Sequence, residues 1–269
     1  MGNRPDRRVT VRFEQAVYGS FPFWDRGYDL LAHSPGCRPE WLAELKTICQ
    51  GYGERPLGAA GAGGLFATQL RSGPWLVVGP AEQGLDDRGR PGAVAFHALF
   101  VEPRAYRKTG FDPFAFLDQF RRDWTSDIHT LPAGEVALDA IPPVVAIDDR
   151  ASRIAAAIAR GSRVALQANE PIDELARMVW HALPPRVRKR ASLATWAFGN
   201  ARRYDLVALP RLAGVALDPS YIDPATLDVA HDSPGSIPGA TGCPQPMPAG
   251  VAEPAQVADN PWPPRHDRI

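Results

Sequence analysis

The sequence predicts an α+β protein with a mixed, largely antiparallel sheet and packed helices, followed by a smaller α/β segment and a disordered Pro/Gly-rich C-terminal tail. Three observations carry this. "VTVRFEQAV", Val9 to Val17, alternates as a half-buried strand does. "GAVAFHALFV", Gly92 to Val101, is apolar in both alternating sets, as in a strand covered on both faces. Segments such as "RPEWLAELKTICQGYG" carry apolar residues at helical spacing between recognisable start and stop signals. The expected division is an N-terminal α+β domain over 1–130, an α/β segment packed on it over 131–231, and a tail over 232–269.

Taken in order, the first strand puts Val9, Val11, Phe13 and Gln15 on one face and Thr10, Arg12, Glu14 and Ala16 on the other. "GYDLLAHS" reads as its hairpin partner, across a loop "GSFPFWDRG" that is longer and more aromatic than a turn requires. A helix follows, with Pro39 in its first turn, an apolar stripe of Trp41, Leu42, Leu45, Ile48 and Cys49, and Gly51 at its end. "LFATQLRSGPWLVVGP" reads as two strands joined at Ser72-Gly73, and "AEQGLDDRGRPG" as a polar loop leading into the His97 strand.

After Val101, "EPRAYRKTGFDPFAFLDQFRRDW" alternates short helical turns with Pro and Gly breaks, and "TLPAGEVALDAIPPV" reads as a Pro-containing link. Beyond it, "DDRASRIAAAIARG" and "EPIDELARMVWHALP" are helices, and "SRVALQA", "SLATWAF" and "YDLVAL" are strands, the pattern of an α/β unit with a crossover helix. From Asp232 onward Pro and Gly dominate with no periodic apolar face, the composition of a disordered segment, in which Trp262 of "NPWPP" is a lone aromatic.

Thirty basic residues balance thirty acidic ones, so no global field draws the chain to nucleic acid or membrane. Three cysteines, Cys37, Cys49 and Cys243, have no metal-site spacing and leave one unpaired, which fits a reducing cytoplasm. No long apolar run or secretion signal is present. The six histidines are scattered without HxH or HExxH spacing, so neither a metal nor a cofactor is expected. The acidic pairs Asp86-Asp87 and Asp148-Asp149 read as solvated acids, the second at a helix start. The run "GAAGAGG" lacks the Gly-Lys-Ser/Thr ending of a phosphate loop and reads as a connection.

Four features bear on function. His97 alone breaks an otherwise apolar strand, as a base or ligand contact with a tuned pKa or as a core histidine bonded to the backbone. Cys37, just ahead of a helix, could serve with His97 or His33 as base in a thiol-dependent hydrolase or transferase. Arg186, Arg188, Lys189, Arg190, Arg202 and Arg203, interleaved with Trp196 and Tyr204, form a basic segment that could meet RNA or nucleotide phosphate, or simply be a solvated helix end. Phe21, Phe23 and Trp24 in the first loop, with Arg186, Arg188 and Arg190, are the residue types that anchor protein interfaces.

"FEQAVYGSF…RGYDLLAHSPG", "GPWLVVGPAEQGLDDRGRPGAVAFHALFV" and "ALPPRVRKRASLATWAF" together resemble the N-terminal domain, second type, of bacterial GTPase-associated proteins, whose members carry a Gln-Ala-x-Tyr-Gly start and a "GRPG…FHALF"-like segment. The resemblance spans roughly Arg12 to Ala208. It implies a cytoplasmic component of a bacterial multi-protein system acting alongside a small GTPase and other partners, and with the residues above the expected role is a non-catalytic, protein-binding adaptor or regulatory component. It assigns no catalytic residue, and His97 falls within its second motif.

Overall fold

The computed structural model describes residues 9–138, 145–212 and 221–222. The fold is α+β, as the patterning predicts: a large, mostly antiparallel sheet with helices on both faces. Its first strands are β1 (Val9–Gly19) and β2 (Asp29–His33), followed by helix α1 (Pro39–Gln50) and then β3 (Phe66–Gln69), β4 (Trp75–Leu85) and β5 (Pro91–Val101). A short helix α2 (Pro103–Tyr106) and two 3-10 turns lead to β6 (Gly134–Leu138). Helix α3 (Asp149–Ala159), β7 (Arg163–Gln167), α4 (Asp173–Ala182), α5 (Pro185–Arg188), β8 (Leu193–Ala194), β9 (Leu206–Leu209) and β10 (Tyr221–Ile222) complete the described chain.

The strand order is β10-β7-β9-β8-β3-β4-β5-β1-β2, with β6 paired to the first half of β1. Pairings among β1 to β6 and between β3 and β8 are antiparallel, whereas β8, β9, β7 and β10 run parallel to their neighbours. Strands from before and after residue 131 therefore lie in one sheet. Alternation sorts the core into two faces. Phe66, Leu76, Val78, Phe96, Ala98 and Phe100 pack with Trp41 and Leu45 of α1. The opposite set, with Val11, Phe13, Ala67, Val77, Leu99 and Val101, packs with Tyr106, Phe116 and the α3–α4 pair. Continuing on that second face, Val17 and Ala95 meet Phe21, Trp124 and Leu131.

The helix signals act as their chemistry requires. Asp148 caps α3 by accepting the Ala151 N–H at 2.6 Å, so it satisfies a helix end. Pro39 opens α1, where its missing N–H costs no bond.

Three local expectations are corrected. The expected link after residue 129 contains β6, whose five residues lie antiparallel to Val9–Phe13; strand pairing is a property of the partner, and Pro and Gly nearby do not forbid it. The expected polar loop after Pro80 is the exposed end of a hairpin: β4 continues to Leu85, with register shifts around Gly84 at φ 77, and β5 already begins at Pro91. The full strand expected over "SLATWAF" is reduced to Leu193–Ala194. The expected tail over 232–269, with Trp262 and Cys243, lies outside the described residues.

Candidate functional site

His97 is 3% exposed, on the face of β5 opposite α1, and both of its ring nitrogens are engaged. The Arg121 backbone N–H lies 3.0 Å from Nδ1, and because an N–H can only donate, Nδ1 is an acceptor without a proton. The proton therefore sits on Nε2, which donates to Gln15 Oε1 at 2.8 Å. The Gln15 amide is oriented in turn by donating from Nε2 to the Pro132 carbonyl at 2.7 Å. Phe120 and Trp124 meet the imidazole edge to face at 5.9 and 5.1 Å. Burial, reinforced by the nearby Arg121 charge, lowers its pKa from 6.5 to about 4. His97 is a neutral stitch that ties the covering segment 120–132 onto β1 and β5.

Cys37 lies on the other side of Gln15. Its thiol donates to the Gln15 backbone carbonyl at 3.4 Å, sits 3.6 Å from Ser34 Oγ, and packs with the α1-face cluster. Burial pushes the thiol pKa up, opposed by the Ser34 hydrogen bond, so the thiolate is disfavoured despite the neighbouring helix. Cys37 and His97 thus meet different atoms of one residue from opposite faces of the sheet. The structure does not bring them together as nucleophile and base.

The loop between β1 and β2 combines exposed aromatic surface with hydrogen-bonded anchors at both ends. Phe21 is fully buried among Val17, Ala32 and Trp124, and supports Phe23, 40% exposed, in a near-parallel stack at 5.4 Å. Trp24 lies half-buried against the same cluster, 6.2 Å from Phe21, with the Arg26 guanidinium 5.4 Å over its ring. Asp87, from the β4–β5 hairpin, clamps both ends of the loop: Oδ1 accepts the Ser20 hydroxyl at 2.9 Å and Oδ2 accepts the Gly27 N–H at 3.0 Å. The Asp87 N–H donates back to Ser20 Oγ at 3.1 Å, and the Val94 N–H donates to the Tyr28 hydroxyl at 3.0 Å.

The acidic pair read as solvated is structural. Asp86, 5% exposed, accepts the Arg88 and Arg90 backbone N–H groups at 2.9 and 2.7 Å and the Arg90 Nε at 2.7 Å, which shapes the hairpin turn that aims Asp87. Asp87 and Gln15 are the organising residues of this region that the composition did not announce. A signal existed for Gln15: it occupies the Val9/Val11/Phe13 face of an amphipathic strand, one polar residue among apolar ones.

In the basic segment, Arg186 and Arg190 are exposed while Arg188 is half-buried, with a terminal nitrogen 3.9 Å from where a Gly110 side chain would begin. Arg202 is engaged with β3, donating to Thr68 Oγ1 at 3.2 Å and to the Gln69 carbonyl at 2.9 Å. Trp196 and Tyr204 are 0% and 5% exposed and present no face on which a base could stack. No group of three metal-ligating side chains occurs among the described residues, and none of their helices is long and apolar enough to cross a membrane. Comparison with known proteins finds no family model and no curated protein that matches the chain.

Proposed function

We propose that the protein is a non-catalytic binding component, an adaptor or regulator that docks a protein partner through the β1–β2 loop. The observation that carries this is the Asp87 clamp, which holds Phe23, Trp24 and Arg26 at the surface on a buried Phe21 base. Aromatic and arginine side chains supply most interface energy, and a loop already ordered loses little entropy on docking. Phe21 and His97 serve as supports beneath the surface, and Arg186 and Arg190 offer a second, cationic contact. The separation of Cys37 from His97 weighs against the thiol-enzyme reading, and the buried Trp196 and Tyr204 weigh against RNA binding through the basic segment.

The resemblance to GTPase-associated proteins makes a small GTPase, or another component of the same system, the proposed partner. The test is affinity capture from the native lysate with wild-type protein and with Phe23→Ser, followed by mass spectrometry. Recovery of a GTPase or companion protein by wild type, and its loss with a folded Phe23→Ser, is the expected result. Identical eluates from both proteins would overturn the reading.

A further inference from the structure

On the α1 face, reaching Tyr28 beside the clamped Gly27, the side chains leave a cleft of about 750 Å³. That lies within the roughly 300–1,000 Å³ of small-molecule sites. Its inner wall is aromatic for a reason set by the sheet: β1 and β5 put Tyr18 and Phe96 on the same face, with ring centroids 6.2 Å apart. Tyr52, just past the end of α1, meets both Phe96 and Phe198 edge to face at 5.2 Å. At the mouth stand two apolar side chains that the fold leaves uncovered, Tyr28 at 45% and Leu57 at 95% exposure. Large apolar groups left in water beside a concave aromatic wall gain free energy when a ligand covers them.

The polar groups narrow the ligand class. Arg55 is the one cation among the described lining residues, and it is already committed to the Glu82 carboxylate and to the Ala59 carbonyl at 3.0 Å. A phosphate or carboxylate would have to break that pair. Tyr28 accepts the Val94 N–H, which leaves its own O–H to donate, and the exposed Gln50 amide at the end of α1 lies on the same cleft. Aromatic walls reward an aromatic guest by about 0.5–1.5 kcal/mol per ring pair beyond simple burial. We infer that this cleft binds a non-anionic, planar aromatic small molecule with a polar edge, held between the Tyr18/Phe96 wall and the Tyr28 and Leu57 rim.

The test uses 2-naphthol as probe, titrated into the full chain by calorimetry with saturation-transfer NMR, alongside anionic 2-naphthoate and saturated decahydro-2-naphthol. Saturable binding of 2-naphthol at millimolar concentration or below is expected, about tenfold tighter than either comparison compound. The double variant Tyr28→Ala/Leu57→Ala, which also removes the acceptor of the Val94 N–H, is expected to stay folded with a lowered melting temperature and to bind 2-naphthol about tenfold more weakly. Should that variant unfold, Leu57→Ser alone provides the reading, since its side chain is almost wholly in water. Absence of saturable binding, equal affinity for the charged or saturated compound, or unchanged affinity in the folded variant would each overturn the inference.

Discussion

The His97 imidazole and the Gln15 carboxamide, 82 residues apart in sequence, form a 2.8 Å hydrogen bond across the β1–β5 ladder. Gln15 passes the connection to the Pro132 carbonyl while the other imidazole nitrogen holds the Arg121 N–H. The bond thus joins two sheet strands to the irregular segment that covers Phe21, and so underlies the aromatic loop at one remove.

That arrangement has a pH signature. His97 titrates at about 4 when folded and near 6.5 when unfolded, so the unfolded chain takes up the proton first as pH falls. Stability contributed by neutral His97 is therefore intact above pH 6.5 and declines through the window down to about 4, by about 3 kcal/mol in total. The lowered carboxylates Asp29 and Glu44 lose their contributions only below the ordinary carboxylate range, so the interval from pH 6.5 to 5 isolates the histidine. Urea midpoints across that interval should fall for wild type more steeply than for His97→Gln; parallel slopes would show that another group is responsible.

Asp87→Ala removes the acceptor for the Ser20 hydroxyl and the Gly27 N–H. The expected cost is about 1–2 kcal/mol in global stability. The larger effect should be local: hydrogen exchange of the Gly27 amide should accelerate well beyond that of the β5 amides. Uniform acceleration throughout the sheet would mean that Asp87 supports the whole fold and does not specifically order the loop.

Phe21 and Phe23 stack on one another yet should respond to truncation with very different costs. Phe21→Ala opens a cavity in a fully buried cluster and should cost about 3–5 kcal/mol. Phe23→Ala removes a side chain that is 40% exposed, and the stability change should stay under about 1 kcal/mol. Trp24→Ala should likewise leave the protein folded while weakening partner capture. Thermal melts distinguish these outcomes, and a large loss for Phe23→Ala would make the loop a structural plug.

Cys37 and Cys49 are both buried, and burial raises both thiols above their ordinary pKa. Iodoacetamide at neutral pH should therefore label each slowly in the native protein and rapidly after denaturation. Fast native labelling of Cys37 relative to Cys49, read by peptide mass spectrometry, would restore a nucleophilic role to that thiol.

The fold class and most elements were legible because they depend on local pattern. The two oily alternating sets of "GAVAFHALFV" correspond to a strand buried on both faces from Ala93 to Val101, and the Pro39 and Asp148 signals begin helices where expected. Strand β6 was not legible, because five ordinary residues become a strand only when Val9–Phe13 lies beside them. The same holds for the two-residue strand β10, which exists through β7, while β8 was expected but at greater length.

For the site, local pattern already marked His97 as anomalous, Gln15 as a polar residue on an apolar face, and the first loop as unusually aromatic. The packing of distant segments is what bonds His97 to Gln15, clamps the loop on Asp87, makes Phe21 base and Phe23 surface, and brings Tyr18, Tyr52, Phe96 and Phe198 around a single cleft. The reason is physical. Periodicity records which side chains avoid water, a property each segment carries alone, whereas hydrogen-bond partners and concavity arise from the register between segments distant in the chain.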